Sequence, residues 1–166
     1  MWTQTGAHVY AVIAGAEVPG LLAQLTAPNV AGWDGLHRGA LPPDEAERAT
    51  YIVELRAESP FTDWLLGEAS AALPNWGVLV VSTQSLRPTR EHLRRISEAL
   101  SPEGQRFALR WFDRAVLRAL LPSLSSSQLQ TFFGDCSALV LPAAADWTWY
   151  RESVGQLVID VRTLAA

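Results

Sequence analysis

At 166 residues the chain fits one domain with a sizeable core, and 49% hydrophobic against 18% charged residues excludes a disordered chain. A net charge of −4, with 13 basic residues that are all Arg, argues against a general nucleic-acid binder, which would carry a basic face. The lone Cys136 excludes an internal disulfide and a Cys-rich metal site. Residues 1–7 lack the basic region of a signal peptide, and the apolar run 9–16 is broken by Gly15. No run approaches the ~20 apolar residues of a membrane span. A cytoplasmic protein with no membrane partner is expected.

In chain order, Val9–Ala14 reads as a strand and Val18–Leu25 as a helix with Pro19 in its first turn. Asn29 to Asp44 reads as a Gly- and Pro-bearing connection with one short strand. Tyr51–Leu55 is a further strand, and Ser59-Pro60 opens a helix over Phe61–Ala71. On that helix Phe61, Trp64, Leu65 and Ala69 share a face. Trp76–Val81 is apolar on both faces, as in a strand buried between two layers. Residues 88–100 predict a helix with Leu93, Ile96 and Leu100 inward, stopped by Ser101-Pro102. Its charged face, including His92, is expected to be solvated, with Glu91–Arg95 and Arg94–Glu98 as i, i+4 pairs.

Arg106–Phe112 alternates Phe107, Leu109 and Trp111 and predicts a strand. Asp113 is placed to cap the following helix, whose buried side is Val116, Leu117, Leu120 and Leu121. Pro122 ends it. Ser125 and Gln128 fit a capping box for a second helix with Leu129, Phe132 and Phe133 inside and Gly134 at its stop. Ala138–Leu141 and Leu157–Val161 read as late strands separated by the aromatic segment Trp147–Tyr150. The alternation predicts a single α/β domain: a central mixed sheet of about five or six strands with helices packed on both faces. Residues 1–142 carry it, and 143–166 form a short appendix packed on the same domain.

No catalytic constellation emerges. His8, His37 and His92 are too scattered for a metal site. Gly15, Gly20, Gly32 and Gly35 lack the spacing of a nucleotide loop, so no cofactor is expected. Cys136 reads as a buried structural cysteine at the start of a strand. Trp147 and Trp149, beside Asp146 and Arg151 and outside any strong periodicity, read as a partly wet patch, with packing of the appendix as the alternative.

The stretch RWFDRAVLRALLPSLSSSQLQTFFGD, residues 110–135, resembles the end of the effector-chaperone (adaptor) domain of bacterial type VI secretion systems. Arg110, Trp111, Phe112, Asp113, Val116, Leu117, Leu121, Pro122, Leu129, Phe132, Phe133 and Gly134 carry the likeness. Arg114 stands where that family usually has Pro, and Ala115 where it usually has Arg; a polar contact made by the family Arg would fall here to Arg114, to Arg118 or to no residue. Upstream, HVYAVIAGA, VPGLLAQL, ATYIVELRAESPFTDWLLGEA, NWGVLVVS and LRPTREHLRRISEAL follow the family order, so the likeness spans roughly residues 8–142. The longer C-terminal part common in the family is almost absent here.

The resemblance implies a non-catalytic adaptor that binds a toxin effector in the cytoplasm and promotes its loading onto the secretion spike protein, in a hetero-complex. The residues it points to are Arg110, Asp113 and Arg114 as a polar cluster, with Trp64 and Trp111 as aromatic anchors. Trp147 and Trp149 are added as partner-binding candidates from their setting. An immunity protein that blocks a toxin, or a small enzyme with a site around Cys136, are the alternatives.

Overall fold

The computed structural model describes residues 6–28, 30–101 and 103–163. Asn29, expected to open a connection, and Pro102, expected to stop a helix, lie outside the described residues, as do 1–5 and 164–166. Strands β1 (His8–Ala14), β2 (Trp33–Gly35), β3 (Thr50–Leu55), β4 (Gly77–Ser82), β7 (Cys136–Pro142), β8 (Asp146–Ser153) and β9 (Gln156–Thr163) form one seven-stranded sheet in the order β2-β3-β1-β4-β7-β8-β9. Every pairing in it is antiparallel. A separate hairpin joins β5 (Glu98–Leu100) to β6 (Arg106–Ala108).

The α/β class and the helices on both faces are as expected; the sheet is larger, with seven strands, and wholly antiparallel rather than mixed. The aromatic segment after residue 142 extends it. Trp147–Tyr150 alternate across β8, and β8 pairs along its whole length with β9.

β1 and β4 sit in the middle of the order and are buried on both faces, as their unbroken apolar runs require. Tyr10, Val12, Val78 and Val80 point to one face, and Val9, Ala11, Ile13, Leu79 and Val81 to the other. The first face is covered by α5 (Leu86–Ile96), α6 (Arg114–Leu120) and α7 (Ser126–Phe133), through Leu93, Leu117, Leu129, Phe132 and Phe133. The second is covered by α1 (Leu21–Leu25) and by a helix that begins as α3 (Pro60–Trp64), widens to a π-turn over Leu65–Ala69 and ends as α4 (Ser70–Ala72). Trp76, fully buried on this side, donates its Nε1 proton to Ser70 Oγ at 2.8 Å. Gly77, at φ 150, has no room for a side chain: a Cβ there would lie 1.9 Å from the Val12 carbonyl oxygen.

Several expected elements change at their ends. The first helix shortens to Leu21–Leu25 behind Gly20, at φ 75, and a 3-10 turn over Gly15–Glu17. An exposed helix α2 (Pro43–Arg48) occupies a stretch with no apolar face to announce it. The helix expected through residue 100 stops at Ile96, and Leu100 is 66% exposed rather than inward. Ser97 intervenes: its Oγ donates to the Leu93 carbonyl (2.8 Å) and accepts from Trp111 Nε1 (2.9 Å). The strand expected over Arg106–Phe112 likewise keeps only Arg106–Ala108. A turn in which Asp113 N donates to the Arg110 carbonyl carries Trp111 into the core.

Candidate partner-binding surface

The segment from α5 to α7 builds a wall held together by its own caps and ring contacts. Asp113 Oδ1 accepts from the amides of Ala115 (2.8 Å) and Val116 (3.2 Å), which fixes the start of α6. Ser125 and Gln128 exchange the reciprocal bonds of a capping box at the start of α7. Trp111, fully buried, meets Phe112 and Phe132 edge-on at 5.9 and 6.0 Å and ties the end of α5 to α7. His92, expected to be solvated, is half-buried, with Nε2 2.9 Å from the Phe132 carbonyl oxygen.

In front of this wall lies a cavity of about 330 Å³. Ile96, Leu109, Leu124 and Phe132 give it an apolar floor, and Arg95, Glu98, Gln128 and Thr131 stand at its rim. A smaller hollow of about 210 Å³ shares Arg95 and Glu98 with it and runs along the β5–β6 hairpin past Leu100 and Arg106. Phe107 on the same hairpin is 50% exposed. Arg106 reaches Glu98 at 3.4 Å, whereas Arg95 has no carboxylate partner among the described residues. An exposed apolar hairpin beside an apolar hollow is the composition of a docking surface. It is also the combination the expected inward placement of Leu100 concealed.

The residues singled out from sequence fall in different places. Trp111 and Trp149 are buried, so their rings are not on the surface of the folded domain. Trp64 is half-buried against Phe61, with ring centroids 5.6 Å apart, and Trp147 is half-buried beside the same core layer. The Arg110, Asp113 and Arg114 side chains do not gather into a cluster. Asp113 is spent on its cap, exposed Arg110 lies 5.7 Å from the Phe112 ring centroid, and Arg114 Nη1 donates to the Pro142 carbonyl at the end of β7. That last bond makes Arg114 the residue whose polar contact ties α6 to the sheet.

The charged face of α5 is used in a way its spacing does not show. Arg94 donates to the carbonyls of Gly35 (2.8 Å), Leu36 (3.1 Å) and His37 (2.6 Å), and Arg90 pairs with Asp34 and Glu91. Glu91 also meets Arg94 at 2.9 Å, so the expected i, i+4 pairs are replaced by a clamp on the segment around β2. Inside that clamp the ring nitrogens of His37 have no hydrogen-bond partner among the described residues. Burial, and then the charge of Arg94, lower its pKa from the usual histidine value.

Cys136 is buried at the start of β7, as expected, and burial followed by the charge of Asp135 pushes its thiol up to about 12. That opposes the thiolate a nucleophile needs. Among the described residues no three His, Cys, Asp or Glu side chains converge as metal ligands. No helix among them is long and apolar enough to cross a membrane.

Comparison with known proteins adds one finding. A family model described as a domain of unknown function, DUF4123, matches residues 9–131, from Val9 in β1 to Thr131 in α7, which includes every residue lining the cavity except Phe132. No curated protein matches, and no solved structure matches.

Proposed function

We propose that this chain, which belongs to the DUF4123 family, is a non-catalytic adaptor that binds a type VI secretion toxin effector in the cytoplasm and promotes its loading onto the secretion spike protein. The association of that family with type VI secretion effector adaptors supports the reading. So does the ordered set of motifs from HVYAVIAGA to the Phe-Phe-Gly end of α7. The observation that carries it is the apolar cavity with Leu100 and Phe107 exposed beside it, all but Phe132 of its lining inside the family-matched segment. An effector segment that is insoluble alone gains by burying its apolar side chains there. Arg95, unpaired at the rim, suits an acidic residue flanking those side chains.

The test is co-expression with a toxin and a spike protein encoded beside this chain, followed by size exclusion and a binding titration. A stable complex is expected. Leu100→Glu with Phe107→Glu, both at exposed positions, is expected to weaken it by about 30-fold or more, the scale of a lost hot spot. Separate elution from both toxin and spike at micromolar concentration, or unchanged affinity of the double variant, overturns the proposal. A complex that abolishes the toxin's activity without aiding export identifies an immunity protein instead.

A further inference from the structure

β9 closes the sheet order on one side, and among the described residues no strand lies beyond it. The two-residue turn Val154-Gly155 joins Ser153 to Gln156, so the backbone groups of that closing pair face each other. Because the antiparallel ladder alternates, Gln156, Val158, Asp160 and Arg162 turn their N–H and C=O toward β8. Leu157, Ile159, Val161 and Thr163 turn theirs outward. Ile159 and Val161 are 50% and 64% exposed. Edges are ordinarily blunted by shortness, Pro, charged side chains, a bulge, or a covering helix or loop. β9 has eight residues with no Pro, pairs with β8 without a register shift, and engages its two charged side chains, Asp160 and Arg162, along its own hairpin.

Asp160 and Arg162 occupy the face opposite Ile159 and flank Val161. Asp160 pairs with Arg151, and the Arg162 guanidinium lies over the Trp149 ring at 4.3 Å. Stacking uses the flat face of the guanidinium and leaves its edge N–H groups free to meet a carboxylate.

We propose that β9 pairs antiparallel with β9 of a second copy of this chain, about a twofold axis at Val161, so that two sheets become one. This inference is independent of the adaptor reading. The charge pattern selects both occupant and register. With the axis at Val161, each Asp160 stands opposite the partner's Arg162, in a non-hydrogen-bonded position where side chains approach most closely. Val161 faces its own copy, and Ile159 faces the partner's Thr163, through the outward backbone groups. Moving the axis to Asp160 sets two carboxylates against each other. Moving it to Ile159 leaves Asp160 opposite a valine and Arg162 opposite a glutamine.

Sedimentation and light scattering of the full chain across micromolar concentrations test this. A dimer is expected, with Ile159→Lys weakening it by about tenfold or more while the circular dichroism and melting profile stay native. Asp160→Arg and Arg162→Asp are each expected to be monomeric alone, by like-charge repulsion, and to form a dimer when mixed in equal amounts. A natively folded chain that stays monomeric overturns the proposal, as does a dimer indifferent to Ile159→Lys. Failure of the mixed variants to associate overturns the Val161 register. A monomer that loses toxin or spike binding on Ile159→Lys reassigns the edge to a strand of that partner.

Discussion

β2 and β9 are the two edges of one sheet, and the molecule treats them in opposite ways. β2 has three residues, and its flanking chain is tied down by side chains that reach across from α5: Arg90 to Asp34, and Arg94 to three successive carbonyls. β9 has eight residues, and the polar contacts of its charged side chains run sideways along its own hairpin, to Arg151 and Trp149. The difference teaches that an edge is closed less by its own sequence than by what a neighbouring helix sends to it. α5 supplies two arginines at one end. At the other end α6 supplies Arg114, which stops at β7.

The comparison breaks most visibly inside the open end. Trp149 is buried on β8 with Arg162 over its ring, and Trp149→Ala is expected to destabilise by about 3–5 kcal/mol in urea unfolding. A loss below about 1 kcal/mol, the scale of an ordinary surface change, would show that the hairpin is not held by its ring. At the closed end, Arg94→Met keeps the aliphatic stem but leaves carbonyls around β2 without donors. About 2–3 kcal/mol is expected to be lost, with faster hydrogen exchange confined to residues 33–37. Exchange that rises equally in β9 would mean the two ends are not separate.

A gain is expected at the β8–β9 turn. Val154 holds φ 50 and Gly155 φ 73, and a β-branched residue is poorly suited to the left-handed region. Val154→Asn is expected to raise stability by about 1 kcal/mol, read as a higher urea midpoint with unchanged slope; no rise would place the strain elsewhere. The smallest effect is a pH dependence at the closed end. Because the folded state lowers the pKa of His37, the folded state favours its neutral form. Its contribution is fully present above the ordinary value of 6.5 and is lost as pH falls from there toward the lowered value. His37→Leu is expected to flatten the slope of stability between neutral and mildly acidic pH. An unchanged slope assigns the dependence to other groups.

The parts of this fold that were legible in sequence are those decided within a few residues. Asp113 and Ser125 cap because the amides they serve are their immediate neighbours. Val9–Ala14 in β1, Tyr51–Val53 in β3 and Val78–Val81 in β4 announce their strands by unbroken apolar runs. α2 has no apolar stripe, and its charges sit in water, so periodicity had nothing to detect. Arg90, Arg94 and His92 read as a solvated face because their partners lie far along the chain, in the β2 segment and at the end of α7. Leu100 and Trp111 exchanged their expected settings through one residue, Ser97, whose hydroxyl suits a helix end and an indole N–H at once. The candidate surface was therefore legible in its segment, and its exposed residues only in three dimensions.

The position of β4 between β1 and β7 bears on how the chain is made. On a ribosome β1, β3 and β4 emerge and can pair at once, but the second ladder of β4 belongs to β7, which follows only after α5, α6 and α7. At ~5–20 residues per second that interval is on the order of several seconds. Throughout it, a nascent chain presents Val78–Val81, wholly buried in the finished molecule, as a bare apolar border with half its amides unanswered. Synthesis thus passes through a stage in which this sheet itself needs shelter.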